Sequence, residues 1–322
     1  MYKLQGMSSR AFGLFGRHIL CGLLLLMISA GGVVRADQNM GVQNEAPKAK
    51  ENSKDSITDE ASHFATFAGI AVHYESYGTG REALVFIHPW GGNVSFWRFQ
   101  VPAFEGKTRV ILIDLPGHGR SDKPLIAYTQ NLFASSVRAV LRDAGVRRAI
   151  LVGNSMGGLV AREFYRMYPK MTKALVIVDM PLRPFDPKEF LEKMVAPMRG
   201  PNYKEHVRQT FEILFTPQTP ASLREEIMTK ILTTPQNVLV SSQEQMADPK
   251  IWRQDSISVP VLGIYSKSSY IPPDNEHFMR SLIPNLDYQA WDGVGHFIML
   301  EAPERFNAAL MEFLVKNRFL RN

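Results

Sequence analysis

The stretch Ala149-Ile150-Leu151-Val152-Gly153-Asn154-Ser155-Met156-Gly157-Gly158 decides how the chain is read. An apolar run of buried-strand type passes directly into Gly-x-Ser-x-Gly and then into Leu159, Val160, Phe164 and Met167 at helical spacing. The order strand, sharp turn, helix carries the meaning. Flanking glycines let the chain bend tightly and let neighbouring elements approach, while the serine Oγ projects above the sheet at a helix N-terminus. A bare Gly-x-Ser-x-Gly is only a tight turn; in this setting it predicts Ser155 as a nucleophile.

Outward from this turn, short apolar runs at 83–88, 109–114, 174–179 and 259–265 alternate with helical patterns, which predicts βαβ units and a mainly parallel sheet. Residues 64–77 read as an antiparallel opening hairpin, and 286–291 as the last strand. Leu132, Phe133, Val137, Val140, Leu141 and Ala144 form one amphipathic helix stopped at Gly145. Pro303, Phe306, Leu310, Phe313 and Leu314 form another. The alternation breaks over 181–255, where helical pieces at 190–198, 203–215, 222–232 and 238–246 are separated by Pro and Gly, so this interval is predicted to be a helical cap. Its Met and Phe residues read first as packing, because Met fills irregular apolar gaps.

Four motifs stand in order: His88-Pro89-Trp90-Gly91-Gly92, then Asp114-Leu115-Pro116-Gly117-His118-Gly119-Arg120-Ser121, then the serine turn, then Gly293-Val294-Gly295-His296-Phe297. In these the chain, from Phe64 to its C-terminus, resembles the α/β-hydrolase superfamily, specifically the capped branch of esterases, lactonases, haloalkane dehalogenases and epoxide hydrolases. The resemblance implies an α/β fold with a mostly parallel eight-stranded sheet, flanking helices and a helical cap. The dehalogenases and epoxide hydrolases of that branch use an aspartate nucleophile, so Ser155 disfavours both chemistries.

Serine needs a base within hydrogen-bond reach. The resemblance assigns that role to His296, on a glycine-lined loop after the last strand, and gives His88 and His118 the work of bracing loops. It also implies that the amides of Met156 and Trp90 hold the oxyanion, with Pro89 standing where the family usually has glycine. The acid departs from the pattern, since Ser269 occupies the position of the usual aspartate. Two replacements are open: Asp179, at the end of a strand just before the cap, and Asp274, on the Pro272-Pro273-Asp274 loop. Asp179 is preferred, because a strand end fixes a carboxylate more rigidly than a loop. Otherwise Asp179 would be a hinge or cap residue and Asp274 the N-cap of a helix starting near Asn275. Asp114 and Asp122 read as structural.

Residues 1–36 carry Lys3, Arg10, Arg17 and Arg35 and no acid, around an apolar stretch that includes Leu23 to Leu26. This reads as a secretory signal peptide cut after Ala36 or a few residues earlier, the alternative being an uncleaved anchor slightly short of a full span. Residues 37–62 are polar and read as a disordered tether, with the hydrolase domain at 63–322. Removing the signal takes four basic residues and lowers the net charge from +6 to +2, so the excess that suggested nucleic acid disappears. It also removes Cys21, the single cysteine, leaving no disulfide to form. With 45% hydrophobic and 21% charged residues, the composition excludes a collagen-like, coiled-coil or wholly disordered chain.

Together these readings predict a secreted or periplasmic serine hydrolase that cleaves carboxylic esters, lactones or thioesters through an acyl-enzyme. Its partner would be a small hydrophobic ester-type substrate, with no nucleic acid and, once the signal is cut, no stable membrane insertion. No cofactor or metal is expected, since Gly117-His118-Gly119 is too short for a dinucleotide fingerprint. The alternatives are a perhydrolase or C–C bond lyase built on the same Ser–His site, and a non-catalytic binding protein.

Overall fold

The structure, a computed structural model, describes residues 59–320; the expected signal segment and nearly all of the tether lie outside the described residues. A 3-10 turn at Asp59–Ala61 leads into β1 (Ser62–Phe67). Residues 59–62, read from the sequence as the end of the tether, are thus in regular structure. The polarity of 59–62 misleads because Ala61 is buried and Ser62 Oγ lies 3.1 Å from His73 Nε2.

Eight strands form one sheet: β1, β2 (Ile70–Tyr77), β3 (Glu82–Ile87), β4 (Arg109–Ile113), β5 (Arg148–Asn154), β6 (Thr172–Val178), β7 (Val261–Ser266) and β8 (Leu286–Trp291), in the order β1-β2-β4-β3-β5-β6-β7-β8. β2 pairs antiparallel with β1 and β4, and every other pairing is parallel. The central strands are buried on both faces, as near-continuous Val, Ile and Leu runs require when helices cover both sides. Ligands of open parallel sheets bind at the carboxyl ends of the strands, and that is where Ser155, Asp179 and the His88 loop emerge.

The helix Gln130–Asp143 begins on Thr129, whose hydroxyl accepts from the Leu132 amide at 3.0 Å, and the chain turns away through Gly145 at φ 67°. The 181–255 interval is helical throughout its regular parts, with Tyr203–Glu212, Ala221–Ile231 and Gln236–Met246 as its longer helices. The piece expected from Phe190 starts earlier, at Pro187. There Asp186 caps the Lys188 and Glu189 amides and Pro187 supplies the preset φ of a first turn.

Both roots of this cap are fastened to the helix Met156–Met167. Buried Arg162 donates to the Leu182 and Arg253 carbonyls, and Arg166 reaches the Ile251 and Arg253 carbonyls and the Asp255 carboxylate. Two buried arginine stems from the helix that follows Ser155 thus hold the cap's first and last residues.

Candidate active site

Ser155 sits at φ 53°, ψ −121°, between the last residue of β5 and the first of the helix Met156–Met167. A non-glycine residue there costs about 1–3 kcal/mol and persists only where its surroundings over-determine it. Gly153 and Gly157 show what does so. A Cβ on Gly153 would lie 2.1 Å from the Gly157 carbonyl oxygen, and one on Gly157 would lie 2.2 Å from the Ile87 carbonyl oxygen. The turn closes because both flanking positions lack a side chain. Ser155 remains partly exposed, and the N-terminal end of the helix, with its partial positive charge, points at it.

Asp179 follows β6 and also takes a left-handed conformation, φ 52°, so the strand expected to run to residue 179 ends at Val178. Its fully buried carboxylate lies 2.8 Å, through Oδ2, from His296 Nδ1, while Oδ1 accepts from the Ser266 amide at 2.6 Å. Burial pushes the Asp179 carboxyl up, and the bonds to His296 and Ser266 only partly offset it. Asn154 ties the three segments together: its Nδ2 donates to the carbonyls of Val178 and His296, each at 3.1 Å, while the Ser155 amide donates to Val178 at 2.9 Å. Among the described residues, Ser155 Oγ and His296 Nε2 have no hydrogen-bond partner, and they are not bonded to each other. Such bonds are often long in free enzymes and tighten around substrate.

The loop that carries His296 is clamped by side chains and by the cap. Glu301 accepts from the Gly295 amide at 2.9 Å and the Phe297 amide at 3.1 Å, on either side of His296, and from the hydroxyl of Thr219 in the cap at 2.6 Å. The His296 amide donates to the carbonyl of Leu214, also in the cap. On the other side of the site, the Trp90 indole donates to Leu239 O and Ser242 Oγ, and Thr234 Oγ1 donates to Gly91 O. Among the described residues, the backbone amides of Trp90 and Met156 have no acceptor. Trp90, Phe211 and Phe297 stack in sequence as a buried aromatic layer, and Phe297 meets the His296 ring edge to face.

The other sequence candidates have places of their own. His88 Nδ1 lies 2.7 Å from the Pro89 carbonyl and its Nε2 accepts from the Leu115 amide, so it is neutral and braces two loops, as expected. His118 is fully buried beside it, and burial pushes its imidazole down to about 3. Asp114 accepts from the amides of Val94 and Arg120 and lies 2.7 Å from His73 Nδ1. Burial raises the Asp114 carboxyl, but its bonds to His73 and to the Arg120 amide, with the nearby His88, outweigh that and hold it down. Asp122 accepts from the Ala71 amide. Asp274 is exposed and paired bidentately with Arg183, at 2.9 and 2.8 Å, far from a role at His296 Nδ1. It stands at the N-terminus of the helix Asn275–Leu282 but its side chain caps nothing, because Arg183 holds it. Ser269 is exposed. Sequence reasoning missed Asn154, Glu301 and Tyr270, whose hydroxyl lies 3.0 Å from His296 Nδ1.

A family model described as the alpha/beta hydrolase family matches residues 84–309, more than half of the chain. The chain belongs to that family. This hydrolase is 30% identical over 272 residues to a 2-hydroxy-6-oxononadienedioate/2-hydroxy-6-oxononatrienedioate hydrolase of Burkholderia vietnamiensis, covering 76% of this chain and 91% of that one. Among solved structures it is similar to Est816, described as an N-acyl homoserine lactone degrading enzyme, with 26% identity, a TM-score of 0.68 and coverage of 78% of this chain and 100% of that one. A thermophilic esterase from Thermogutta terrifontis shares the fold of this hydrolase, with a TM-score of 0.70 at 24% identity over 80% of this chain and 98% of that one.

Proposed function

We propose that this hydrolase cleaves carboxylic esters, lactones included, through an acyl-enzyme on Ser155. In this reading Ser155 Oγ attacks the acyl carbon and passes its proton to His296 Nε2, and the Trp90 and Met156 amides receive the oxyanion. His296 returns the proton to the leaving alkoxide, then activates the water that releases the acid. Asp179 keeps the imidazole proton on Nδ1 and stabilises the imidazolium. The observation that carries the reading is the buried 2.8 Å contact between Asp179 Oδ2 and His296 Nδ1, which leaves Nε2 as the free end of the ring.

The stack of Trp90, Phe211 and Phe297 favours a hydrophobic acyl or alcohol group. The Burkholderia relative is named for a dioate, a doubly charged substrate. Here Arg162 and Arg183, the arginines at the root of the cap, are engaged by carbonyls and carboxylates of this chain, which supports an uncharged ester instead. For residues 1–36 the reading is an export signal, with the mature enzyme outside the cytoplasm; the intact mass of exported protein tests it.

The deciding experiment is an ester panel of graded acyl length, with N-acyl homoserine lactones and thioesters added, run on the enzyme and on Ser155→Ala. The reading expects turnover that Ser155→Ala abolishes and stoichiometric labelling of Ser155 by a fluorophosphonate. Peracid formation from ester and peroxide exceeding hydrolysis would move the assignment to a perhydrolase. Folded protein that neither turns over nor labels would be a binding protein.

A further inference from the structure

We propose that Tyr270 is a positioning residue for His296, holding the imidazole proton on Nδ1 together with Asp179; the inference rests on the role given to His296 above. His296 Nδ1 has two oxygen neighbours, Asp179 Oδ2 at 2.8 Å and the Tyr270 hydroxyl at 3.0 Å. A ring nitrogen carries at most one proton, so the three groups cannot all donate. Asp179 is an acceptor in its ionised form, and its other oxygen is filled by the Ser266 amide. What Tyr270 does depends on where its own proton goes.

The loop after β7 supplies the answer. Tyr270 OH lies 3.1 Å from Ser266 Oγ, which lies 2.9 Å from Ser268 Oγ. With that run of hydroxyls as an outlet, Tyr270 donates to Ser266 and turns a lone pair toward Nδ1–H, giving the proton two acceptors. The tyrosine and Phe297 both meet the imidazole edge to face, with centroids at 5.6 and 5.2 Å, so the ring plane is fixed as well. The bidentate Arg183–Asp274 pair fastens the far end of the same loop to the root of the cap. Asp274 therefore serves the base at one remove, by holding the loop that carries Tyr270.

The same hydroxyl has an opposite capability. When Nδ1 is bare, Tyr270 OH donates to it and leaves the proton on Nε2, the tautomer unable to accept from Ser155. The charge on Asp179 decides between the two arrangements. Tyr270 thus assists when the carboxylate is present and hinders when it is gone.

The test is Tyr270→Phe in the full chain, in both the native and the Asp179→Gly background, read by kcat and KM on an aryl ester and by ¹⁵N spectra of the His296 ring. In the native background kcat falls about three- to tenfold, the worth of one hydrogen bond, while KM stays nearly constant. In the Asp179→Gly background, where Nδ1 loses its carboxylate and the φ of 52° suits glycine, the same change costs nothing or raises kcat, and the ring spectra show proton density moving from Nε2 to Nδ1. Equal fold-losses in both backgrounds, or ring resonances unchanged by Tyr270→Phe, would overturn the proposal. A protein inert to every ester would sink the ester reading alone, because the ring spectra still decide on Tyr270.

Discussion

Ser155 and Asp179 occupy the next positions after a register pair: Asn154 of β5 lies opposite Val178 of β6, and both chains leave the ladder immediately afterwards with positive φ, 53° and 52°. Two adjacent parallel strands thus deliver the proposed nucleophile and the proposed acid by the same backbone move. The strand ends are rigid, so the distance between the two groups is set by the sheet and not by a loop.

Asp179→Asn should lower kcat by about 10²–10⁴-fold with the fold intact, since an amide in this place stabilises the wrong imidazole tautomer. Asp274→Asn should change kcat far less, because its partner is Arg183 and an exposed pair contributes about 0–1 kcal/mol. Kinetics on an aryl ester, with circular dichroism as the control for folding, checks both. A dead Asp274→Asn beside a normal Asp179→Asn would reverse the assignment.

The strain at Ser155 makes a prediction that needs no substrate. Glycine reaches φ 53°, ψ −121° without the Cβ clash, so Ser155→Gly should be more stable than Ser155→Ala by about 1 kcal/mol or more, although glycine usually loses stability to alanine through chain entropy. Both variants should be inactive. Denaturant midpoints with equal m-values give the comparison, and an alanine variant as stable as the glycine one would show that the turn is relaxed.

Much of this was legible in the chain. The five strands β3 to β7 were marked because buried parallel strands must be continuous apolar runs, and Gly153 and Gly157 marked the bend, where a Cβ on either would run into backbone. Asp179 was favoured over Asp274 on rigidity alone. Other features depend on partners far off in sequence. Arg183, 91 residues away, converts Asp274 from a helix cap into a loop anchor, and Tyr270 acquires its place only when its loop lies against His296. Glu301 could have been noticed five residues beyond the base, but its two amide partners emerge only from the fold of the loop. The turn at 59–61 that precedes β1 was not legible because polar residues 59–62 gave no apolar signal for it.

Acid should destabilise the folded hydrolase through its buried histidines. His118 is fully buried, its neighbour His88 is pushed down in the same way, and burial takes His118 from 6.5 to about 3. Between those values the unfolded chain binds a proton at this site that the folded protein refuses, so stability is full above about 6.5 and falls as the pH drops toward 3. The loss from His118 between pH 7 and pH 5 is about 2 kcal/mol by linkage. His118→Phe keeps an aromatic ring beside His88 and Phe133 and removes the titration. Its own packing cost enters equally at both pH values, so the difference in unfolding free energy between pH 7 and pH 5 isolates the proton. That difference should shrink by about 2 kcal/mol in the variant. An unchanged difference would mean that water or a hydrogen-bond acceptor reaches His118 Nε2, which has no partner among the described residues, and lets the folded protein take the proton.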